Sequence, residues 1–81
     1  MSEALLERLI DFAEAGNQQK ITLEGTTYQG WVMEITEEGL LISTGYNDKK
    51  GKDIWLSPSQ LQKANLSFWN NANSQWEVFT L

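Results

Sequence analysis

Apolar side chains recur at helical spacing over residues 3 to 15, with Leu5, Leu6, Leu9, Ile10 and Ala13 toward one side and Glu3, Glu7, Arg8, Asp11 and Glu14 toward the other. Ser2 stands where an N-cap would stand, and Gly16-Asn17 where a helix would stop. Acids in the first turn suit the positive end of the helix dipole. The spacing therefore predicts one short amphipathic helix. From Lys20 onward the period changes, and β-branched and aromatic residues bounded by glycine predict antiparallel strands near 20–25, 27–36, 40–46, 53–57 and 64–69, with a sixth near 75–80. Glu37-Glu38-Gly39 reads as a tight hairpin turn, and residues 47–52 as a longer exposed loop. Pro58 cannot donate to a ladder, so it ends a strand and opens a single short turn.

The second strand carries apolar residues on both faces, because Tyr28 and Val32 alternate with Trp31, Met33 and Ile35. A sheet with one solvated face would place polar residues on the other. Gly30 in the middle of that strand signals a sharp bend or a close backbone approach. The predicted fold class is therefore mostly β: an N-terminal helix followed by a strongly bent, five-stranded antiparallel small barrel, with a possible extra C-terminal strand. No repeat or linker divides the chain, which reads as one domain over residues 1–81.

Composition sharpens this in three ways. A chain of 81 residues buries only about 63% of its unfolded surface. No cysteine is present to staple it, and without histidine or cysteine no metal site is expected. Oligomerisation remains as a stabilising device. Neither a signal peptide nor a membrane helix can be drawn, so the expected location is cytoplasmic and no membrane contact is expected. Eleven acidic against six basic side chains give a formal charge of −5, which disfavours non-specific attraction to nucleic acid.

Enzyme signatures are missing residue by residue. Histidine, the common general base, and cysteine, the soft nucleophile, are both absent. Ser57 and Ser59 flank a proline, as in a capped turn, and Glu37 and Glu38 are adjacent rather than facing. No catalytic residue and no cofactor is therefore expected. The one basic cluster is Lys49, Lys50 and Lys52 at a hairpin tip; it is either a solvated loop or a phosphate-facing patch, and it is the nucleic-acid candidate. Four tryptophans are many for this length; Trp31, Trp55 and Trp69 are candidates for an oligomer interface or for stacking.

The stretch Ile21-Thr22-Leu23-Glu24-Gly25-Thr26-Thr27-Tyr28-Gln29-Gly30-Trp31-Val32-Met33-Glu34-Ile35 resembles the first motif of the Sm and Sm-like family, which includes Hfq. An apolar pair precedes a glycine, an apolar residue follows three later, a second glycine five later, and then apolar residues alternate. The leading helix and a short turn near Pro58 are similar to that family's layout, and the resemblance covers about residues 3 to 69. It implies a non-enzymatic, ring-forming homo-oligomer that binds or accompanies single-stranded RNA. Where the family holds uridine-rich RNA with aspartate and asparagine, this chain has Thr36, Glu37, Glu38 and Gly39; where the family has a basic residue and a glycine, it has Trp55-Leu56-Ser57-Pro58. The alternative is a protein-interaction or structural barrel module without a nucleic-acid site. A small-molecule-binding barrel is a third reading, for which no convergent polar group can be named from sequence.

Overall fold

The computed structural model describes residues 1–45 and 52–81. Its elements are α1 (Glu3–Glu14), β1 (Gln19–Leu23), β2 (Thr26–Thr36), β3 (Gly39–Ser43), β4 (Asp53–Leu56), α2 (Pro58–Lys63), β5 (Asn65–Asn70) and β6 (Gln75–Phe79). The strands form one antiparallel sheet in the order β4-β3-β2-β1-β5-β6. The mostly β class holds, with the helix first. The five-stranded barrel is corrected: the sheet has six strands, and among the described residues no ladder joins β4 to β5 or β6, so its edges are β4 and β6. The possible extra C-terminal strand is present as β6, which lies along the outer edge of β5.

Helix α1 starts where the sequence says, with the Leu5 N–H donating to the Ser2 side chain at 3.1 Å. Its buried stripe differs from the predicted one. Leu9 and Phe12 are fully buried and Leu5 packs beside them, whereas Ile10 is exposed. An i, i+3 pair reaching toward the sheet is enough for a three-turn helix, and Phe12 also meets the Phe79 ring at 5.2 Å. Arg8 adds a second tie to β6, lying 4.5 Å over the Phe79 ring and donating to the Thr80 carbonyl at 2.6 Å.

Strand β1 alternates as a half-buried strand should, with Gln19, Ile21 and Leu23 inward. It turns into β2 through Glu24 and Gly25, both at positive φ, a two-residue hairpin that follows the right-handed twist of the strands. Strand β2 pairs with β1 as far as Gly30, opposite Gln19, and pairs with β3 from Trp31, opposite Ser43. At the crossing Gly30 is buried, and a Cβ there would collide with the carbonyl oxygen of Ser43. The bend anticipated from that glycine is present. The two-sided apolar pattern of β2 has a different cause from barrel closure: a bulge between Val32 and Glu34 leaves Met33 without a partner and shifts the phase, so Val32 and Ile35 both pack on the core while Met33 faces out.

The turn expected at Pro58 is a short helix instead. Ser57 and Gln60 form a capping box, the Gln60 N–H donating to Ser57 Oγ at 3.2 Å and the Ser57 N–H to Gln60 Oε1 at 2.8 Å. Proline at the first helical position loses no bond there. Leu61 anchors this helix in a core shared with Leu9, Phe12, Ile21, Leu23, Leu40, Ile42, Leu56 and Leu66.

Gln19 is buried to 3% exposure within this apolar core. Its Nε2 donates to the Ala15 carbonyl at 2.7 Å and to the Ala13 carbonyl at 3.4 Å, and its Oε1 accepts from the Val32 N–H at 3.2 Å. Both ends of the amide are satisfied, and no buried side-chain polar atom among the described residues lacks a partner. Replacing Gln19 by leucine strands the Val32 N–H and the helix-end carbonyls, at an expected cost of about 1–3 kcal/mol in urea denaturation. Gly30→Val places a branched side chain against the backbone of β3 and is expected to cost at least as much as ordinary overpacking, about 1–3 kcal/mol or more; a melting temperature equal to that of the unsubstituted chain contradicts the placement of the bend.

Candidate functional site

The sheet face turned away from the core carries Lys20, Gln29, Trp31, Trp69 and Trp76, and a groove of about 770 Å³ opens on it. Its lining comes from separate segments: Gly16, Asn17 and Gln18 before β1, Gln29 and Trp31 from β2, Trp69 from β5, Asn71 from the β5–β6 turn and Trp76 from β6. The row runs across the strands from β6 through β5 and residue 18 to β2, three inter-strand steps or about 14 Å at the usual spacing of about 4.8 Å.

The chain builds this row through close backbone approach. The Asn17 N–H donates to the Trp69 carbonyl at 3.1 Å and the Trp69 N–H to the Gln18 carbonyl at 2.9 Å, so the segment after α1 extends the β1–β5 ladder by one step. Gly16 sits at φ +63, and a Cβ there would strike the Trp69 carbonyl and come within 2.9 Å of the Phe68 ring. Glycine is required on both counts. The β5–β6 register places Trp69 opposite Trp76, with ring centroids 5.6 Å apart at 70°, an edge-to-face pair. The Lys20 ammonium lies 4.3 Å over the Trp76 ring and holds it from one side.

Polar atoms in the groove are carboxamides. Trp69 Nε1 donates to Asn71 Oδ1 at 3.0 Å, and Gln29 Nε2 donates to Gln18 Oε1 at 3.3 Å. An amide has two donor hydrogens and two acceptor lone pairs, so it can both donate and accept. Among the described residues, none of the lining side chains titrates near neutral pH, and none can act there as nucleophile, general base or metal ligand. Among the described residues no cluster of three acidic, histidine or cysteine side chains is placed to hold a metal ion. The groove offers stacking surfaces and hydrogen bonds, which is the equipment of a binding site.

The sequence candidates separate. Trp31 and Trp69 meet in the groove, joined by Trp76, which sequence reasoning did not single out. Trp55 is elsewhere: it stands on β4 opposite Leu41, about half exposed, and does not line the groove. Lys49 and Lys50 lie outside the described residues. Lys52 is exposed and binds Thr44 through its backbone, its N–H donating to Thr44 Oγ1 at 3.1 Å. A signal for the groove was present in the sequence. Trp31, Trp69 and Trp76 each have an asparagine or glutamine within two positions, whereas Trp55, in Asp53-Ile54-Trp55-Leu56, has none.

No family model and no solved structure matches the chain. Residues of the chain are 33% identical over 66 positions to the outer-membrane lipoprotein LolB of Pseudoalteromonas translucida, a match covering 82% of this chain and 30% of that protein. The chain thus corresponds to less than a third of that relative's length. This likeness overturns two expectations, an Sm-like ring that binds RNA and a cytoplasmic location, since the relative is a protein of the outer membrane. The physical source of the first misreading is Gly30. Its place in the motif follows from the steric demand of a strand crossing the backbone of Ser43, which any strongly bent strand would share whatever it binds.

Removing a groove indole differs in cost from removing the outlying one. Trp69→Ala loses the Trp76 contact and the Asn71 bond and is expected to destabilise the fold by about 1–3 kcal/mol, while Trp55→Ala stays within about 0.5 kcal/mol. Chemical denaturation followed by circular dichroism measures both.

Proposed function

We propose that this chain is a non-catalytic ligand-binding module of the cell envelope, and that its site is the groove formed by Trp31, Trp69 and Trp76. The observation that carries the reading is convergence: three indoles and four carboxamides, from segments far apart in sequence, line one groove that holds no titratable side chain among the described residues. Its volume falls within the ordinary range of ligand sites, roughly 300–1,000 Å³. The envelope part of the proposal rests on the likeness to the outer-membrane lipoprotein LolB. The order of a helix and a bent second strand, with a short helix before the fifth strand, also supports a distant kinship of architecture with the Sm and Sm-like family, limited to the bent strand and its neighbours.

The four indole N–H signals in an NMR spectrum give the test an internal control. A fragment set spanning nucleosides, neutral oligosaccharides, short peptides and a non-ionic detergent is expected to contain compounds that shift Trp31, Trp69 and Trp76 while leaving Trp55 in place. A set that moves none of the three, or moves Trp55 equally, overturns the groove as the site. Fractionation of cells carrying the full-length protein tests the location, with recovery in the envelope fraction expected and recovery in the cytosol opposing it.

A further inference from the structure

We infer that the occupant of the groove is an uncharged oligosaccharide, bound as a short stretch of pyranose rings laid across the strands; this rests on the groove being the binding site. Three features of the lining select the class. Indole faces carry the negative side of a quadrupole, which attracts the polarised C–H groups on the flat side of a pyranose ring. Between and beside the indoles stand Asn17, Gln18, Gln29 and Asn71, whose amides both donate and accept and so match hydroxyl groups, which do the same. Among the described residues no side chain in the lining is charged, and the chain carries a net −5, so these residues offer neither a phosphate nor a carboxylate a counter-charge within the groove. Lys20, on the same sheet face, lies over the Trp76 ring.

Shape supports the same class. Trp76 and Trp69 stand on neighbouring strands, about 4.8 Å apart, and Trp31 lies two strand steps further on, across Gln18, spacings close to one and two sugar units of an extended chain. Trp69 and Trp76 are held by each other, by Asn71 and by Lys20, so little rotamer freedom remains to be lost on binding. A single nucleobase could stack on one indole, but it would leave the rest of the row and most of the carboxamides without a match.

The full chain is titrated with chitotetraose, cellotetraose and maltotetraose and, in parallel, with adenosine and uridine monophosphates and a neutral tetrapeptide, following the indole N–H signals. At least one tetrasaccharide is expected to saturate the shifts of Trp31, Trp69 and Trp76, with an affinity that changes little between low and high salt because no ion pair forms. Trp31→Ala, at a half-exposed ring, is expected to weaken that affinity on the order of tenfold. Asn71→Ala, in an exposed turn, serves as a second variant and is expected to weaken it as well. Shifts from a nucleotide or the peptide with none from any tetrasaccharide overturn the inference but leave the groove as a binding site. Sugar binding that both variants leave intact places the sugar elsewhere and also overturns it. Silence from every probe, together with silence from the broader fragment set, removes both readings.

Discussion

The side chain of Gln19 is the constraint on which the rest of the structure depends. Strand β2 changes partners directly beside it, and the Val32 N–H, having left the β1 ladder, would face an apolar core unpaired. The Gln19 amide accepts that N–H and donates to the last carbonyls of α1, so one buried group closes the end of a helix and the bend of a strand together. An unpaired buried amide group costs about 1–3 kcal/mol, and here the alternative would leave several. The helix is consequently held where Leu9 and Phe12 enter the core, against Phe79 of the last strand.

From this anchor the outer face follows. With α1 ending at Ala15 and β1 starting at Gln19, residues 16–18 have one short path, and that path runs along the backbone of Trp69. Gly16 is needed because the approach leaves no room for a side chain. The same segment carries Asn17 and Gln18, so the core requirement that fixes the helix end also delivers two carboxamides to the groove. The β5–β6 register then sets Trp76 across from Trp69. The site is built on strands and a short connection rather than on a long loop, which keeps its indoles at fixed spacing.

A groove of this composition also accounts for how an acidic chain could be a binding protein. Charge of −5 opposes phosphate-rich partners at a distance, and among the described residues the groove lining adds no cation to reverse that. Stacking and amide hydrogen bonds work without net charge and are insensitive to salt.

By itself the sequence determined whatever depends on near neighbours along the chain. The helix and its Ser2 cap, the change to strand periodicity at Lys20, the turns at Gly39 and after Asn70 and the bend at Gly30 can all be read from local pattern, because helix spacing, alternation and positive φ are local properties. The capping box at Ser57 and Gln60 was equally local and was legible as Ser-Pro-x-Gln, although a lone proline draws attention to a turn. Only the tertiary structure decided that Phe12 rather than Ile10 faces the core, that Met33 is squeezed out by a bulge, and that β6 lies along β5. Only it brought Trp31, Trp69 and Trp76 into one groove and left Trp55 outside. The reason is register: a one-residue shift between strands exchanges the two faces of a sheet, and that choice is made by partners distant in the chain, not by the residues alongside.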